Sequence, residues 1–286
     1  GVLVRHNVPM LSLQDVFSKE EVYAFVEEMQ QQPLRAREVT MGGIRVSQVA
    51  FGTEHLNQYF PAFGGQILRD AAVQNNVFFW DTDNCYGSQP TVAAGIKLLE
   101  REKVVVTSKT YANTQKEARE SVMRILHDLD TPYLDFCLLH GVEDGQLAAK
   151  MPALAELRRM KDQGLIRQIG LSTHCPQVAW DASDVEGIEV LCVTFNRDGS
   201  RIMNGNLDGM VRALHKAHNL RGKGTYVIKT LGRGDLVYDI RAALEWVLDH
   251  HNCIDVYNIG YANLRELRQD LHIVNEYYDR LEEESV

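Results

Sequence analysis

Residues 104–141 read VVVTSKTYANTQKEARESVMRILHDLDTPYLDFCLLHG, and this stretch decides the fold. Two short apolar runs, VVVTSKT (104–110) and LDFCLLHG (134–141), flank a helical stretch, EARESVMRILHDLD (117–130). Each run is nearly continuous in apolar residues, as a strand covered on both faces must be. A strand, a helix and a second strand in that order make a parallel pair joined by a right-handed crossover.

Working outward, the same unit recurs. Strand-like runs occur at VAFG (49–52), VFFWDTD (77–83), IRQIGLSTH (166–174), VLCVTFN (190–196), TYVIKTLG (225–232) and IDVYNIGY (254–261). Helical stretches lie between or after them at QILRDAAVQNN (66–76), TVAAGIKLLE (91–100), MPALAELRRMKDQG (151–164), LDGMVRALHKAHNL (207–220), IRAALEWVLDHH (240–251) and ANLRELRQDLHIVNEYYDRLEEE (262–284). Eight such units predict an α/β fold of the (β/α)8 TIM-barrel type, and no GxGxxG follows the first strand to favour an open doubly wound sheet. The 286 residues fit one barrel, which needs about 250.

Before the barrel, Ser18 and Glu21 read as a capping box opening a helix over 19–32, with Pro33 just beyond it. REVTMGGIRVSQ (37–48) has β-prone runs on either side of Gly42-Gly43, a two-residue hairpin signal. The expected organisation is a helical extension over 1–36 and a barrel over 37–286.

Composition narrows the function classes. With 45% hydrophobic and 24% charged residues the chain is ordinary for a globular protein that buries a large core. A net charge of −9 argues against a general nucleic-acid binder while leaving room for a local basic pocket. No stretch reaches the ~20 apolar residues that span a bilayer, and the N-terminus lacks a secretory layout, so a cytoplasmic protein is expected. Cys85, Cys137, Cys175, Cys192 and Cys253 are scattered and form no CxxC pair, which predicts reduced thiols rather than disulfides or a zinc site.

In such barrels chemistry sits at the C-terminal ends of the strands. Asp81 and Asp83 end the second run, Lys109 the third, His140 the fourth, Ser172 to His174 the fifth and Asn196 the sixth. Ser, Thr, Asp and Asn there are equally expected as helix caps. Lys109 and His140 are not cap residues, and an ionisable group ending an apolar strand needs a partner or solvent.

FFWDTDNCYG (78–87) resembles the Asp-Thr-Ala-x-x-Tyr-Gly segment of aldo-keto reductases, with Asp81 and Tyr86 at that family's spacing. VVVTSKT looks like its third strand ending in a catalytic lysine, YLDFCLLHG like its fourth ending in a histidine, and QGLIRQIGLSTH like its GxIRxIGxSN signature. The likeness runs from about residue 37 to the end, nearest the branch with LHG, SxH and Lys-x-Leu-Gly motifs, without that branch's iron–sulfur cysteines.

The resemblance implies reduction of an aldehyde or ketone, or the reverse alcohol oxidation, with hydride from NADPH or NADH and a proton from Tyr86. Lys109 would lower the phenol pKa from its usual value near 10, Asp81 would hold Lys109, and His140 would orient the substrate oxygen. It also implies cofactor contacts from Ser172, Thr173, Cys192 and Ile228, although Thr173, Cys192 and Ile228 stand where asparagine, glutamine and an aromatic are usual. Lys229, Arg233 and the Gly232 and Gly234 backbone fall at the pyrophosphate, Leu231 is a further cofactor contact, and Arg265 falls at a 2′-phosphate. The expected partner is a small carbonyl compound or alcohol, with neither nucleic acid nor membrane. Two other readings stay open at this point: a nicotinamide-binding regulatory barrel with little turnover, and a non-redox lyase or isomerase using Asp83 and Tyr86 as acid and base.

Overall fold

A computed structural model describes residues 34–284, so the expected helix over 19–32 and its Ser18–Glu21 capping box lie outside the described residues. A hairpin precedes the barrel, strands β1 (Glu38–Met41) and β2 (Ile44–Ser47), paired antiparallel with Met41 opposite Ile44. Gly42 and Gly43 both take positive φ, 54° and 79°, the conformation that a two-residue turn of this hand demands at both positions.

Eight strands follow: β3 (Val49–Gly52), β4 (Phe79–Asp81), β5 (Val105–Thr110), β6 (Leu134–Leu139), β7 (Ile166–Thr173), β8 (Val190–Thr194), β9 (Gly224–Ile228) and β10 (Val256–Gly260). Every neighbouring pair is parallel, and β10 pairs with β3 to close the barrel. All eight strand runs expected from the sequence are present. The helices are α1 (Pro61–Asn75), α2 (Gln89–Ile96), α3 (Gln115–Asp128), α4 (Met151–Asp162), α5 (Pro176–Ala182), α6 (Leu207–His215), α7 (Ile240–Leu248) and α8 (Leu264–Glu284).

Two helical expectations need correction. The sequence pattern does not predict α5, because seven residues give too little periodicity; its signal is Pro176 at the first helical position. The stretch expected as one helix over 207–220 changes to a π-helical turn over Lys216–Leu220. There Lys216 Nζ donates to Trp180 O at 2.9 Å and Asp184 Oδ2 at 2.6 Å, tying this turn to α5.

Strand alternation sorts the core into two shells. Side chains such as Val106, Cys137, Leu139, Leu171, Val193 and Val227 pack outward against the helices. Ala50, Phe79, Val105, Phe136, Leu138, Val190, Cys192, Tyr226 and Val256 fill the barrel interior. The filling is tight: a Cβ on Gly170 would lie 2.7 Å from Val190 O.

Met41, Ile44 and Val46 of the hairpin belong to that inner cluster. Burying such side chains contributes about 1.5–3 kcal/mol each, enough to hold a two-stranded hairpin that is marginal alone. The hairpin therefore plugs the N-terminal end of the barrel and leaves the C-terminal end as the mouth. Beside it, the buried Asp135 accepts from Arg101 Nη2 (2.7 Å), Arg167 Nη1 (2.8 Å) and Val106 N (2.9 Å), stapling β5, β6 and β7 together. Among the described residues, no helix is long and apolar enough to cross a membrane.

Candidate active site

At the C-terminal mouth, Asp81 ends β4 and Lys109 lies near the end of β5, both facing inward and each only 1% exposed. Lys109 Nζ donates to Asp81 Oδ1 at 2.5 Å and to the Thr82 carbonyl at 2.9 Å. The second carboxylate oxygen accepts from the Tyr226 hydroxyl at 2.8 Å. Thr53 and Ser88 brace this corner, through Thr53 Oγ1 to Asp81 O (3.0 Å) and the Thr53–Ser88 hydroxyl pair (2.8 Å). Burial opposes the Lys109 charge, but the adjoining Asp81 carboxylate outweighs it and holds the ammonium above its usual pKa.

Two ammonium hydrogens are thus committed, and the third side of Lys109 Nζ meets the face of the Tyr86 ring, 4.9 Å from its centroid. Among the described residues the Tyr86 hydroxyl makes no hydrogen bond to Lys109 or His140, so direct hydrogen-bonding reach among all four groups is not what the structure has. The expected fall in the Tyr86 pKa is also corrected. Burial raises it, and the Lys109 charge offsets that rise only in part. At neutral pH the phenol keeps its proton.

His140 follows β6. Its Nδ1 is 2.6 Å from Ser172 Oγ, which also accepts from Gly141 N at 3.0 Å. Among the described residues the serine hydrogen has no acceptor other than Nδ1, so the assignment that pairs both groups has Ser172 donating to Nδ1 and the ring hydrogen on Nε2. Burial first, then the charges of Lys109 and Lys229, press the His140 pKa down to about 3. A neutral imidazole with an Nε2–H donor results. Asp83 Oδ2 is 3.8 Å from Nε2, fully buried and without a hydrogen-bond partner, while its other oxygen accepts from Cys85 N at 2.8 Å. That burial weighs against Asp83 as an acid or base working directly on a substrate.

The expected cofactor contacts divide. Thr173 has the outward parity of β7; it donates to Val142 O (2.6 Å), accepts from Cys175 N (2.9 Å) and is 1% exposed. Cys192 faces inward but lies sealed in the barrel at 0% exposure, with burial pushing its thiol up to about 12. Neither side chain reaches the mouth as the cofactor contact expected of it. Ser172 is taken up by His140.

Ile228, Lys229 and Leu231 are half-buried at the end of β9, Gly232 is buried beside them, and Arg265 is exposed in the first turn of α8. Lys229 Nζ donates to His174 Nε2 at 3.1 Å, and His174 Nδ1 faces Arg201 O at 3.1 Å and Thr194 Oγ1 at 2.8 Å. Burial lowers the pKa of both Lys229 and His174. In the loop after β9, Lys229, Gly232, Arg233 and Gly234 all take positive φ, between 60° and 103°. Gly232 N and Gly234 N are spent within the loop, on Lys229 O at 2.8 Å and Leu231 O at 2.9 Å, so what the loop offers an anion is the charge of Lys229 and Arg233.

Sequence reading missed Thr53, Ser88 and Tyr226. Tyr226 carried a signal, as a polar-tipped residue at an inward position of an apolar strand. Thr53 and Ser88 carried none, since their roles depend on which loops meet.

Comparison with known proteins follows the same lines. The sequence model of the Aldo/keto reductase family matches residues 48–238. An NADH-dependent D-xylose reductase from Candida parapsilosis is 25% identical over 170 residues, 49% of this chain and 51% of that one. A short match to a DNA ligase from Clostridium kluyveri, 69% identical over 26 residues, covers 9% of this chain. The chain thus spans 4% of the ligase and about half of the reductase.

Among solved structures, one described as an aldo-keto reductase from Pseudomonas aeruginosa superposes with a TM-score of 0.73 at 22% identity, over 87% of this chain and 99% of that one. The holo form of an aldo-keto reductase from Bacillus halodurans gives 0.69 at 17% identity, over 84% and 91% of the two chains. At those identities the likeness establishes the barrel. With the family model matched across the strands that carry Asp81, Lys109, His140 and Ser172, the chain belongs to the aldo/keto reductase family.

Proposed function

We propose that the protein reduces an aldehyde or ketone with NADPH or NADH, and runs in reverse on the alcohol. The observation that carries this reading is a fully buried ammonium, Lys109, fixed by Asp81 and a carbonyl, with the ring of a proton-bearing Tyr86 laid against it. When bound, a reduced nicotinamide supplies the hydride.

The residues present suit that group. Ile228 offers a half-buried aliphatic face at the mouth, and the charges of Lys229 and Arg233 in the loop after β9 suit a pyrophosphate. Arg265, in the first turn of α8, suits a 2′-phosphate. The D-xylose reductase relative keeps NADH in view beside NADPH. Residues 37–286 carry this whole site in our reading, with 1–36 as an extension.

Each side chain then has a role. Tyr86 holds a proton at neutral pH because burial disfavours its phenolate, so it is a donor at rest. As the substrate oxygen gains negative charge, that proton passes to it. Lys109 stabilises the phenolate left behind at its ring, and Asp81 with Tyr226 keeps Lys109 charged and still. His140, neutral and bearing its hydrogen on Nε2, donates to the same substrate oxygen without adding a second proton donor of similar acidity. Ser172 keeps the imidazole in that tautomer.

Tyr86→Phe removes only the hydroxyl. Turnover of a panel of small aldehydes and ketones should fall at least ~100-fold, the scale of a lost general acid, with nucleotide affinity unchanged. A Tyr86→Phe variant working at the parent rate refutes the assignment.

A further inference from the structure

Asn258 sits in the middle of β10, the last barrel strand. It shares inward parity with Val256 of the interior cluster, and a Cβ on Gly52 would lie 3.1 Å from its Oδ1. The register of β10 on β9, with Tyr257 opposite Val227, puts Asn258 beside Ile228, and Ile228 pairs with Thr194 of β8. Asn258, Ile228 and Thr194 therefore line one arc of the barrel, across from Tyr86, Lys109 and His140.

Asn258 is 7% exposed, and its Oδ1 is buried without a hydrogen-bond partner. Its side-chain nitrogen makes no hydrogen bond among the described residues either. Buried carboxamides are almost always paired, since leaving their dipoles unmet costs free energy that an aliphatic residue would avoid. Its Oδ1 has no accessible surface, so the group that can meet a ligand is the unpaired side-chain nitrogen, a donor next to the face of Ile228. The oxygen of a primary carboxamide meets that requirement by accepting from the Asn258 side-chain N–H. The residues expected to hold such a group are engaged elsewhere, with Ser172 on His140, Thr173 on its own loop and Cys192 sealed in the interior.

We propose that Asn258 anchors the carboxamide of the nicotinamide ring, holding it from the β10 side of the mouth in place of Ser172, Thr173 and Cys192. This inference rests on the reading of the site as a nicotinamide pocket, and the test separates the two.

The parent, Asn258→Leu and Asn258→Gln are titrated by tryptophan fluorescence with NADPH and NADH, and with ADP-ribose and its 2′-phosphate, which lack the nicotinamide. Asn258→Leu should weaken the dinucleotide roughly tenfold, the scale of a lost hydrogen-bonded amide, and leave the ADP-ribose ligand unchanged. Asn258→Gln, which keeps the amide, should recover part of the loss. Unchanged dinucleotide binding in Asn258→Leu overturns the proposal. So does equal weakening of both ligand types, which would mean a damaged mouth rather than a lost anchor. If the parent binds ADP-ribose but neither dinucleotide more tightly, the anchor is wrong while the phosphate reading stands. If it binds none of the four, the pocket reading fails and the anchor with it.

Discussion

At the scale of single residues, the site is governed by what burial does to charge. Lys109 is as buried as a core leucine, and only the Asp81 carboxylate makes that tolerable. Lys109→Met should therefore cost about 3 kcal/mol in urea unfolding, because Asp81 keeps only the Tyr226 hydroxyl. Adding Asp81→Leu should restore most of the stability but no activity, which separates the structural share of the pair from its share in chemistry. A single variant as stable as the parent would show that the pair is not structural.

His140 gives a pH signature. An unfolded imidazole binds a proton below about 6.5, whereas the folded one resists until about 3. Between those values the unfolded chain holds more protons, so stability is complete above about pH 6.5 and falls as pH drops toward 3. Unfolding midpoints from pH 7 to 4 should decline less steeply in His140→Asn than in the parent. Identical slopes would place the acid sensitivity elsewhere.

At the scale of elements, β6 divides into a lower end that builds the barrel and an upper end that leads into the candidate site. On β6 the lower end holds Asp135, and the chain leaving the upper end holds His140. Asp135 binds β5 through a backbone amide and Arg101, and β7 through Arg167. Asp135→Asn removes the charge that both arginines face, one of them largely buried. It should destabilise by about 3 kcal/mol in denaturant unfolding while leaving the KM of the folded protein unchanged. A change in KM at full stability would contradict this division of labour. The hairpin obeys the same division, since its apolar face closes the end opposite to the mouth.

At the scale of the whole molecule, a chain with net charge −9 has to gather its cations locally to hold a dinucleotide. Lys229 and Arg233 both lie in the loop after β9, whose turn is closed by Gly232 N on Lys229 O and Gly234 N on Leu231 O. NADPH or NADH at one hundred times its dissociation constant should stabilise the fold by about 2.7 kcal/mol, seen as a higher denaturant midpoint. High salt should reduce the effect, because part of the attraction is between exposed charges. No rise with either nucleotide would count against the pocket.

The sequence by itself determined the barrel. Apolar runs with two covered faces, alternating with helical stretches, leave few ways to bury what they expose, and VVVTSKT and LDFCLLHG illustrate the pattern. It also determined that Asp81, Lys109 and His140 end neighbouring strands, because strand order alone puts them at one mouth. Tertiary structure decided the rest. Thr173 and Cys192 are one residue apart in parity from usefulness or one layer too deep, and a strand's register and tilt are settled only when the barrel closes. Whether the Lys109 ammonium meets the hydroxyl or the face of Tyr86, and which hydroxyl fixes the tautomer of His140, depend on loops packed from distant parts of the chain. Such contacts are sub-ångström matters of packing that no local pattern encodes.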